Sequence, residues 1–272
     1  MLSAFTYASP DRLPDVCALW LSAFPEDTAA DVAAFWDALY APHRCLLYEE
    51  DGRALSMAFL LPAVYQAGAD SRPLWYVYAA CTTPSRRGEG LFGRVLAAIA
   101  DEAAAAGATP FLRPASPSLA RYYERFGYVP WFGASEAHGV ADRTAALPLQ
   151  TAVDYAAARR RLLCAGGNAW VDWADDVTAY AVSLAVQTGG GAVETADGCA
   201  LCERAGNDLL IRELLCPPAE QAAWCAALLR RFGGTRYCLR RPAEAGETPQ
   251  TLGWLCGHVP TAGSPYMGLT LE

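Results

Sequence analysis

The chain has 272 residues, of which 53% are hydrophobic and 18% charged, and its formal net charge is −8. This composition is typical of a globular protein with a large core and excludes an intrinsically disordered chain. A nucleic-acid partner is not expected, because nucleic-acid binding calls for a basic face. No apolar run approaches the ~20 residues that span a bilayer, and no basic, apolar leader opens the chain. We therefore expect a cytoplasmic protein without a membrane partner.

The ten cysteines lie scattered among apolar neighbours, which is typical of reduced, packed thiols in a reducing compartment. One pair, Cys199 and Cys202, has C-x-x-C spacing on a predicted strand. A second pair is missing, so packing is favoured over zinc binding. The three histidines, His43, His138 and His258, are isolated from one another in sequence. The sequence therefore predicts no metal site.

The first predicted elements are two helices joined by a short acidic loop. Apolar residues at helical spacing predict a helix over residues 14–24, with Pro14 suited to its first turn. Thr28 is placed to cap a second helix, whose apolar stripe runs from Val32 to Tyr40. The loop between them, residues 24–27, carries Glu26 and Asp27.

Strands and turns dominate the next predicted segments. Asp51-Gly52 predicts a tight hairpin between strands near 44–50 and 53–61. Residues 62–73 are expected to form a loop, and Leu74–Cys81 reads as an almost wholly apolar, central strand. A helix from Leu91 to Gly107 follows, then a short strand near 110–113. Next, Ser116-Pro117 opens a helix closed by Gly127, and a strand covers 128–132.

The second half repeats this layout in reduced form. We expect a helix over 174–187, then a helix after Pro217-Pro218 that stops at Gly233. The predicted strands cover residues 192–196, 199–204, 209–215, 235–240, 251–258 and 265–271. The order suggests a degenerate internal copy. Its strand-to-helix turn has no glycine or arginine, and Glu220 would place negative charge at the helix start. It is not expected to bind a diphosphate.

The segment Tyr76–Phe92, YVYAACTTPSRRGEGLF, is the most informative part of the chain. It reads as a buried strand, a proline-marked exit and a basic, glycine-containing turn that opens into a helix. Backbone N–H groups at such a turn and helix N-terminus bind phosphate groups, and Arg86 and Arg87 add full positive charge. Neither a P-loop nor a dinucleotide fingerprint is present.

This segment resembles the acetyl-CoA loop of the GNAT acetyltransferases, Arg/Gln-x-x-Gly-x-Gly/Ala. The match places Arg87 and Gly90 in the motif, whereas Phe92 departs from its last position and Gly93 follows one place later. A second motif, Tyr123-x-x-x-Gly127-Tyr128, resembles the family's Tyr-x-x-x-Gly-Phe/Tyr. The resemblance implies an α/β GNAT fold with a mixed sheet. Residues 1–150 would be the catalytic domain and 151–272 a degenerate GNAT-like copy.

The resemblance also implies the site. Tyr123 would protonate the departing thiolate, with acetyl-CoA as co-substrate and direct transfer of acetyl to a primary amine of a small molecule. The residues expected to hold the cofactor lie on the strand end, the loop and one helix cap: Ala80, Cys81, Thr82, Arg87, Gly88, Glu89, Gly90, Leu91, Phe92, Gly93 and Ser116.

Several points stay open. The general base could be Glu26, the C-terminal carboxylate of Glu272 or water. The acidic net charge suggests a cationic acceptor, such as a small amine or an aminoglycoside-like polycation, and certain aromatic residues could line its pocket or equally form core: Phe24, Trp36, Tyr40 and Tyr65. Transfer of a longer acyl group and a CoA-binding regulatory module without turnover are the alternatives. A homo-oligomer is also left open.

Overall fold

The computed structural model describes residues 3–140, 147–257 and 263–271. The chain divides into two compact units. The first comprises Met1–Val64, Arg72–Pro130 and Gly253–Pro260, and the second comprises Tyr65–Ser71, Trp131–Leu252 and Thr261–Glu272. Each unit is therefore assembled from segments that are distant in sequence. The functional roles expected for residues 1–150 and 151–272 stay predictions.

The elements combine helices with strands in a mixed α/β fold. The helices are α1 Leu13–Ala23, α2 Ala29–Leu39, α3 Leu91–Ala105, α4 Pro117–Glu124, α5 Tyr155–Gly166, α6 Asp175–Gln187 and α7 Gln221–Phe232. The strands are β1 Ser3–Tyr7, β2 Cys45–Glu50, β3 Arg53–Ala67, β4 Asp70–Thr82, β5 Thr109–Leu112, β6 Tyr128–Gly139, β7 Gln150–Thr151, β8 Trp170–Trp173, β9 Gly191–Glu194, β10 Cys199–Ala205, β11 Asp208–Leu215, β12 Arg236–Arg241 and β13 Gln250–Cys256.

In the first unit the strands follow the order β1-β2-β3-β4-β5-β13. β4 and β5 are parallel, as a strand-helix-strand crossover through α3 requires. β13 pairs antiparallel with β5 through Trp254 and Leu255, although it lies about 140 positions further along the chain, counting from Leu112 to Trp254. A helix-facing core cluster joins β4 to α3 and α4, with Val77, Leu91 and Tyr123 among its members.

Local signals for these elements are confirmed where side chains fix the backbone. Thr28 caps α2 in a reciprocal capping box with Asp31. Asp51 and Gly52 both have positive φ, at 49° and 77°, which is the backbone of a tight hairpin turn. Ser116 Oγ accepts a hydrogen bond from the Leu119 N–H and caps α4.

Three expectations for the secondary structure are wrong or incomplete. The stretch 62–73 is not a loop: β3 continues to Ala67 and β4 begins at Asp70, because buried side chains at Ala63 and Tyr65 keep the strand alternation. Residues 265–271 are not a strand, since Gly268 has a left-handed φ of 61° and only Tyr266 forms isolated bridges. The sequence analysis also missed β1, α5, β7 and β8.

The second unit has the strand order β6-β12-β11-β10-β9-β7. β9, β10 and β11 are antiparallel, and β11 is parallel to β12 across α7. This order of three antiparallel strands, a helix and a parallel strand matches β2, β3, β4, α3 and β5 of the first unit. Its core is a cluster in which Leu209, Ile211, Trp224 and Leu228 are buried.

Candidate functional site

The end of β4 departs from regular strand geometry. β4 pairs with β5 from Leu74 to Tyr76. Ala79, which lies beyond the last of these pairs, has φ 46°, in the left-handed region that costs a residue with a side chain about 1 kcal/mol or more. Nothing in the sequence signals this, because alanine carries no preference for that conformation. Strain of this kind collects at functional sites.

The backbone groups beyond Ala79 alternate in direction. Ser56 Oγ donates to Cys81 O over 2.7 Å, and Thr83 N–H donates to Leu55 O over 2.8 Å, so Cys81 and Thr83 face β3. Because neighbouring residues of a strand point their peptide groups to opposite edges, those of Ala80 and Thr82 face away from β3, and the Thr82 carbonyl oxygen accepts from Arg87 Nε at 3.1 Å. Burial raises the pKa of Cys81 to about 12, so this residue is a packed thiol and not a nucleophile at neutral pH.

The loop after β4 contains two glycines and leads into a helix N-terminus, whose backbone N–H groups carry partial positive charge. Gly88 and Gly90 have φ values of 85° and 77°, and a Cβ placed on either would meet no atom within 4 Å. Gly90 is the N-cap of α3 and supplies no side-chain cap to its first turn. The first N–H groups of the 15-residue helix therefore receive no side-chain cap, and an uncapped helix N-terminus of this kind suits an anion such as a diphosphate.

The two arginines of the loop have different partners. Arg86 forms ion pairs with Glu50 at 3.0 Å and Glu89 at 2.8 Å, and the hydrogen bond from Arg86 lowers the pKa of Glu50. Arg87 is exposed, and its guanidinium donates to the carbonyl oxygens of Thr82 at 3.1 Å and Ser22 at 3.3 Å. Arg87 thus keeps its positive charge for an anion, whereas two carboxylates compensate that of Arg86.

Gly93 and Phe92 serve packing within the first unit. A Cβ at Gly93 would come within 2.8 Å of the Phe126 ring, so glycine allows close contact with that ring. The Phe92 ring lies 6.2 Å from the Tyr123 ring in an edge-on arrangement and stacks on Tyr122 at 6.1 Å. Phe92, which departs from the loop motif, therefore packs against Tyr123, the predicted general acid.

Tyr123 is buried in the core cluster that joins β4, α3 and α4, with Ala80 and Phe92 packed against it. Burial, with a smaller contribution from the neighbouring Tyr122, raises the pKa of Tyr123 to about 12. The phenol therefore keeps its proton at neutral pH, as a proton donor must.

The remaining predicted residues are placed as follows. Leu91 is buried in the same cluster, and Glu89 is exposed and paired with Arg86. Ser116 Oγ is used in capping α4 and bonds Ser118 Oγ at 2.9 Å. The structure thus places Tyr123 in one core cluster with Leu91 and beside the Phe92 ring, whereas the Ser116 hydroxyl already has partners.

The candidates for the base differ in environment. Glu26 is exposed, whereas Asp27 is half-buried and accepts a 2.6 Å hydrogen bond from Trp20 Nε1. Glu272 and His258 lie outside the described residues. Among the aromatic residues considered for an acceptor pocket, Trp36 stacks on Tyr40 at 4.4 Å. Tyr65, also considered, belongs to the second unit and packs on Trp131 at 5.1 Å.

Within residues 3–140, 147–257 and 263–271, no group of three or more His, Cys, Asp or Glu side chains could hold a metal ion. Cys199 and Cys202 are buried, and burial raises the pKa of both thiols.

A cleft of roughly 510 Å³ lies in the second unit and includes the carboxylates of Glu194, Asp197 and Glu220 in its lining. Because three carboxylates repel a second anion, this cleft does not suit a diphosphate.

No helix of the described chain is long and apolar enough to cross a membrane.

Comparisons with known proteins bear on the family and the fold of the chain. Residues 5–130 match the acetyltransferase (GNAT) domain family model. No curated protein sequence matches the chain.

Solved structures share the fold over almost the whole chain. The chain is similar to a GCN5-related N-acetyltransferase from Kribbella flavida, at 16% identity and TM-score 0.69 over 93% of this chain and 70% of that one. It is also similar to a probable N-acyltransferase from Enterococcus faecalis V583, at 13% identity and TM-score 0.73 over 94% and 72%. Eis1 from Mycobacterium abscessus matches at 16% identity and TM-score 0.67 over 94% and 73%. Residues 5–130 are therefore a GNAT acetyltransferase domain, and the chain as a whole has the fold of these structures.

Proposed function

We propose that the chain is an acetyl-CoA-dependent N-acetyltransferase that transfers acetyl to a primary amine of a small molecule. The observation that supports this proposal is the Tyr123 phenol, which is buried in the core cluster of the first unit beside the Phe92 ring and keeps its proton because burial raises its pKa to about 12. A module that only binds CoA has no need of a proton donor at that place.

The residues divide the work between binding and proton handling. Bound acetyl-CoA supplies a thioester acyl group. Arg87 and the N–H groups at the start of α3 bind a diphosphate, and the peptide groups of Ala80 and Thr82 face the side on which an extended chain could pair. Tyr123 holds a proton at Oη that is available to a departing thiolate, and Phe92 fixes the position of its ring.

The acceptor is proposed as a cationic amine on the basis of the formal net charge of −8. Glu26 and Asp27, which accepts a hydrogen bond from the Trp20 indole, are the proposed bases in the loop between α1 and α2. The terminal carboxylate of Glu272 and a water molecule are the other proposed bases.

The test is a thiol-release assay with acetyl-CoA over a panel of small primary amines, paired with titration calorimetry of acetyl-CoA. We expect saturable binding and amine-dependent thiol release. Binding without turnover on any amine would support the CoA-binding module instead. Release only with longer acyl-CoA donors would support the longer-chain acyltransferase.

A further inference from the structure

The second unit contains a strand irregularity that corresponds to the one at Ala79. β11 and β12 pair in parallel from Asp208 to Ile211. On the other edge of β11, Cys202 faces Ile211 while Leu201 faces Glu213, so the register with β10 skips one position of β11, that of Arg212. This is a β-bulge, which bends a strand and re-aims the side chains beyond it. In both units the first strand of the parallel pair is irregular beyond the last residue that pairs with its parallel neighbour, Tyr76 in β4 and Ile211 in β11.

The C-terminal segment lies at the point beyond the last β11–β12 pair. Arg240 follows directly after Leu239, the last paired residue of β12. Its Nη1 donates to Gly268 O over 3.3 Å and to Thr270 Oγ1 over 2.9 Å. From the other strand, Glu213 approaches Gly268 so closely that a Cβ there would overlap Glu213 Oε1.

A buried ion pair holds the same segment from the helix side. Arg159 and Glu213 are 1% and 0% exposed, and Arg159 Nε lies 2.8 Å from Glu213 Oε2. Tyr155 adds a 2.6 Å hydrogen bond to the carboxylate. The carbonyl oxygen of Met267 accepts from Arg159 Nη2 at 3.5 Å and from Trp173 Nε1 at 3.4 Å. Buried charges are retained only with such complete partners, and loss of one partner is strongly destabilising.

Backbone hydrogen bonds of Tyr266 and Met267 also hold the segment in place. Tyr266 N–H donates to Ala169 O over 2.8 Å, and Val171 N–H donates to Tyr266 O over 2.9 Å. Met267 N–H donates to Gly133 O over 3.2 Å. Residues 266–271 are all buried, so the segment lies inside the second unit like a bound peptide.

We propose that the region between β11 and β12 beyond their last pair, Ile211 with Leu239, is a peptide-binding site, called here the strand opening of the second unit. Its ligand is the chain's own segment 266–271. The site selects glycine at position 268 by contact with Glu213 and a hydroxyl at position 270 by contact with Arg240. The opening that corresponds to the proposed acyl-CoA place of the first unit is thereby filled. One chain then binds one acetyl-CoA.

The test compares Gly268→Ala with Gly246→Ala in the full chain by amide hydrogen exchange of residues 266–271. Both glycines have positive φ, at 61° and 89°, so both variants carry the same kind of backbone strain, but a Cβ at Gly246 meets no atom within 4 Å. We expect Gly268→Ala to speed exchange of the segment about tenfold or more, which corresponds to a local loss of about 1.4 kcal/mol. Gly246→Ala should leave that exchange unchanged.

Equal exchange in the two variants would overturn the proposal. Thr270→Val serves as a second variant in case Gly268→Ala does not fold, because it removes the hydroxyl without adding bulk, and it should also speed exchange of the segment. Wild-type exchange of the segment as fast as that of an unfolded peptide would likewise overturn it, as would calorimetry giving two acetyl-CoA molecules per chain. None of the exchange results depends on whether the chain transfers acetyl groups.

Discussion

Tyr123 and Tyr122 are adjacent on α4, yet Tyr123 is a buried member of the core cluster, whereas Tyr122 is only partly buried against it. If Tyr123 is the acid, Tyr123→Phe should lower kcat about 100-fold or more, since general acid catalysis contributes typically 10²- to 10⁴-fold. The dissociation constant for acetyl-CoA should stay nearly unchanged. Steady-state kinetics and calorimetry measure the two quantities.

Tyr122→Phe is the matched control, because it removes a hydroxyl from the neighbouring ring and leaves the stacking on Phe92 in place. The acid assignment is refuted if both variants lose the same activity, or if Tyr123→Phe keeps the wild-type kcat.

Arg86 and Arg87 are also adjacent and differ in their partners. Arg87→Ala should weaken acetyl-CoA binding about 10- to 100-fold, the range for a hydrogen bond to a charged group, and the loss should shrink as salt rises. Arg86→Ala should have a smaller effect, since Glu50 and Glu89 already compensate its charge. Calorimetry at two ionic strengths measures this. An equal loss of affinity in both variants would show that the ion pairs with Glu50 and Glu89 do not reduce the contribution of Arg86 to acetyl-CoA binding.

At the scale of elements, Gly93 sets how closely α3 can approach the Phe126 ring. Gly93→Ala should lower the free energy of unfolding by about 1–3 kcal/mol through overpacking, because its Cβ would fall 2.8 Å from Phe126 Cζ. Thermal unfolding measures the change.

Gly166, at the end of α5, is the control for helix propensity. A Cβ at Gly166 meets no atom within 4 Å. Gly166→Ala should therefore leave stability unchanged or raise it by up to about 1 kcal/mol. If Gly93→Ala also proves neutral or stabilising, the contact with Phe126 does not limit the packing.

Elements with local side-chain signals could be predicted from the sequence. The cap at Thr28, the Asp51-Gly52 turn and the Ser116-Pro117 helix start all have short-range causes, and the structure has each of them. Long-range pairing has no such signal. That β13 pairs with β5, and that Gly268 rests against Glu213, depends on contacts between segments distant in sequence.

The residues of the candidate site were named from the resemblance to the GNAT motifs, with Tyr123 chosen over Tyr122 by its four-residue step to Gly127. Their roles stay predictions. The strained φ of Ala79 and the carbonyl partners of Arg87 were not predictable, because both arise from tertiary packing.

For the whole molecule, buried thiols and phenols make stability fall at high pH. Burial raises the pKa of Cys81 and of Tyr123 to about 12 each, and it also raises those of Tyr128 and Tyr155. In the unfolded chain these groups ionise near pH ~8.5 for cysteine and ~10 for tyrosine. Above those values the unfolded chain binds fewer protons than the folded chain, so the free energy of unfolding falls as pH rises.

We therefore expect Tm to fall from about pH 9 and more steeply above about pH 10. Thermal unfolding between pH 7 and pH 11 checks this. A Tm that stays constant to pH 11 would mean that these groups are not buried in solution.

The proposed acetyl-CoA site requires that a diphosphate binds between Arg87 and the start of α3. The most direct measurement is the affinity of the wild-type chain and of Arg87→Ala for acetyl-CoA and for S-acetylpantetheine, which lacks the diphosphate. We predict that Arg87→Ala weakens acetyl-CoA binding and leaves the affinity for S-acetylpantetheine unchanged. Equal losses for both ligands, or a wild-type chain that binds neither, would contradict the account.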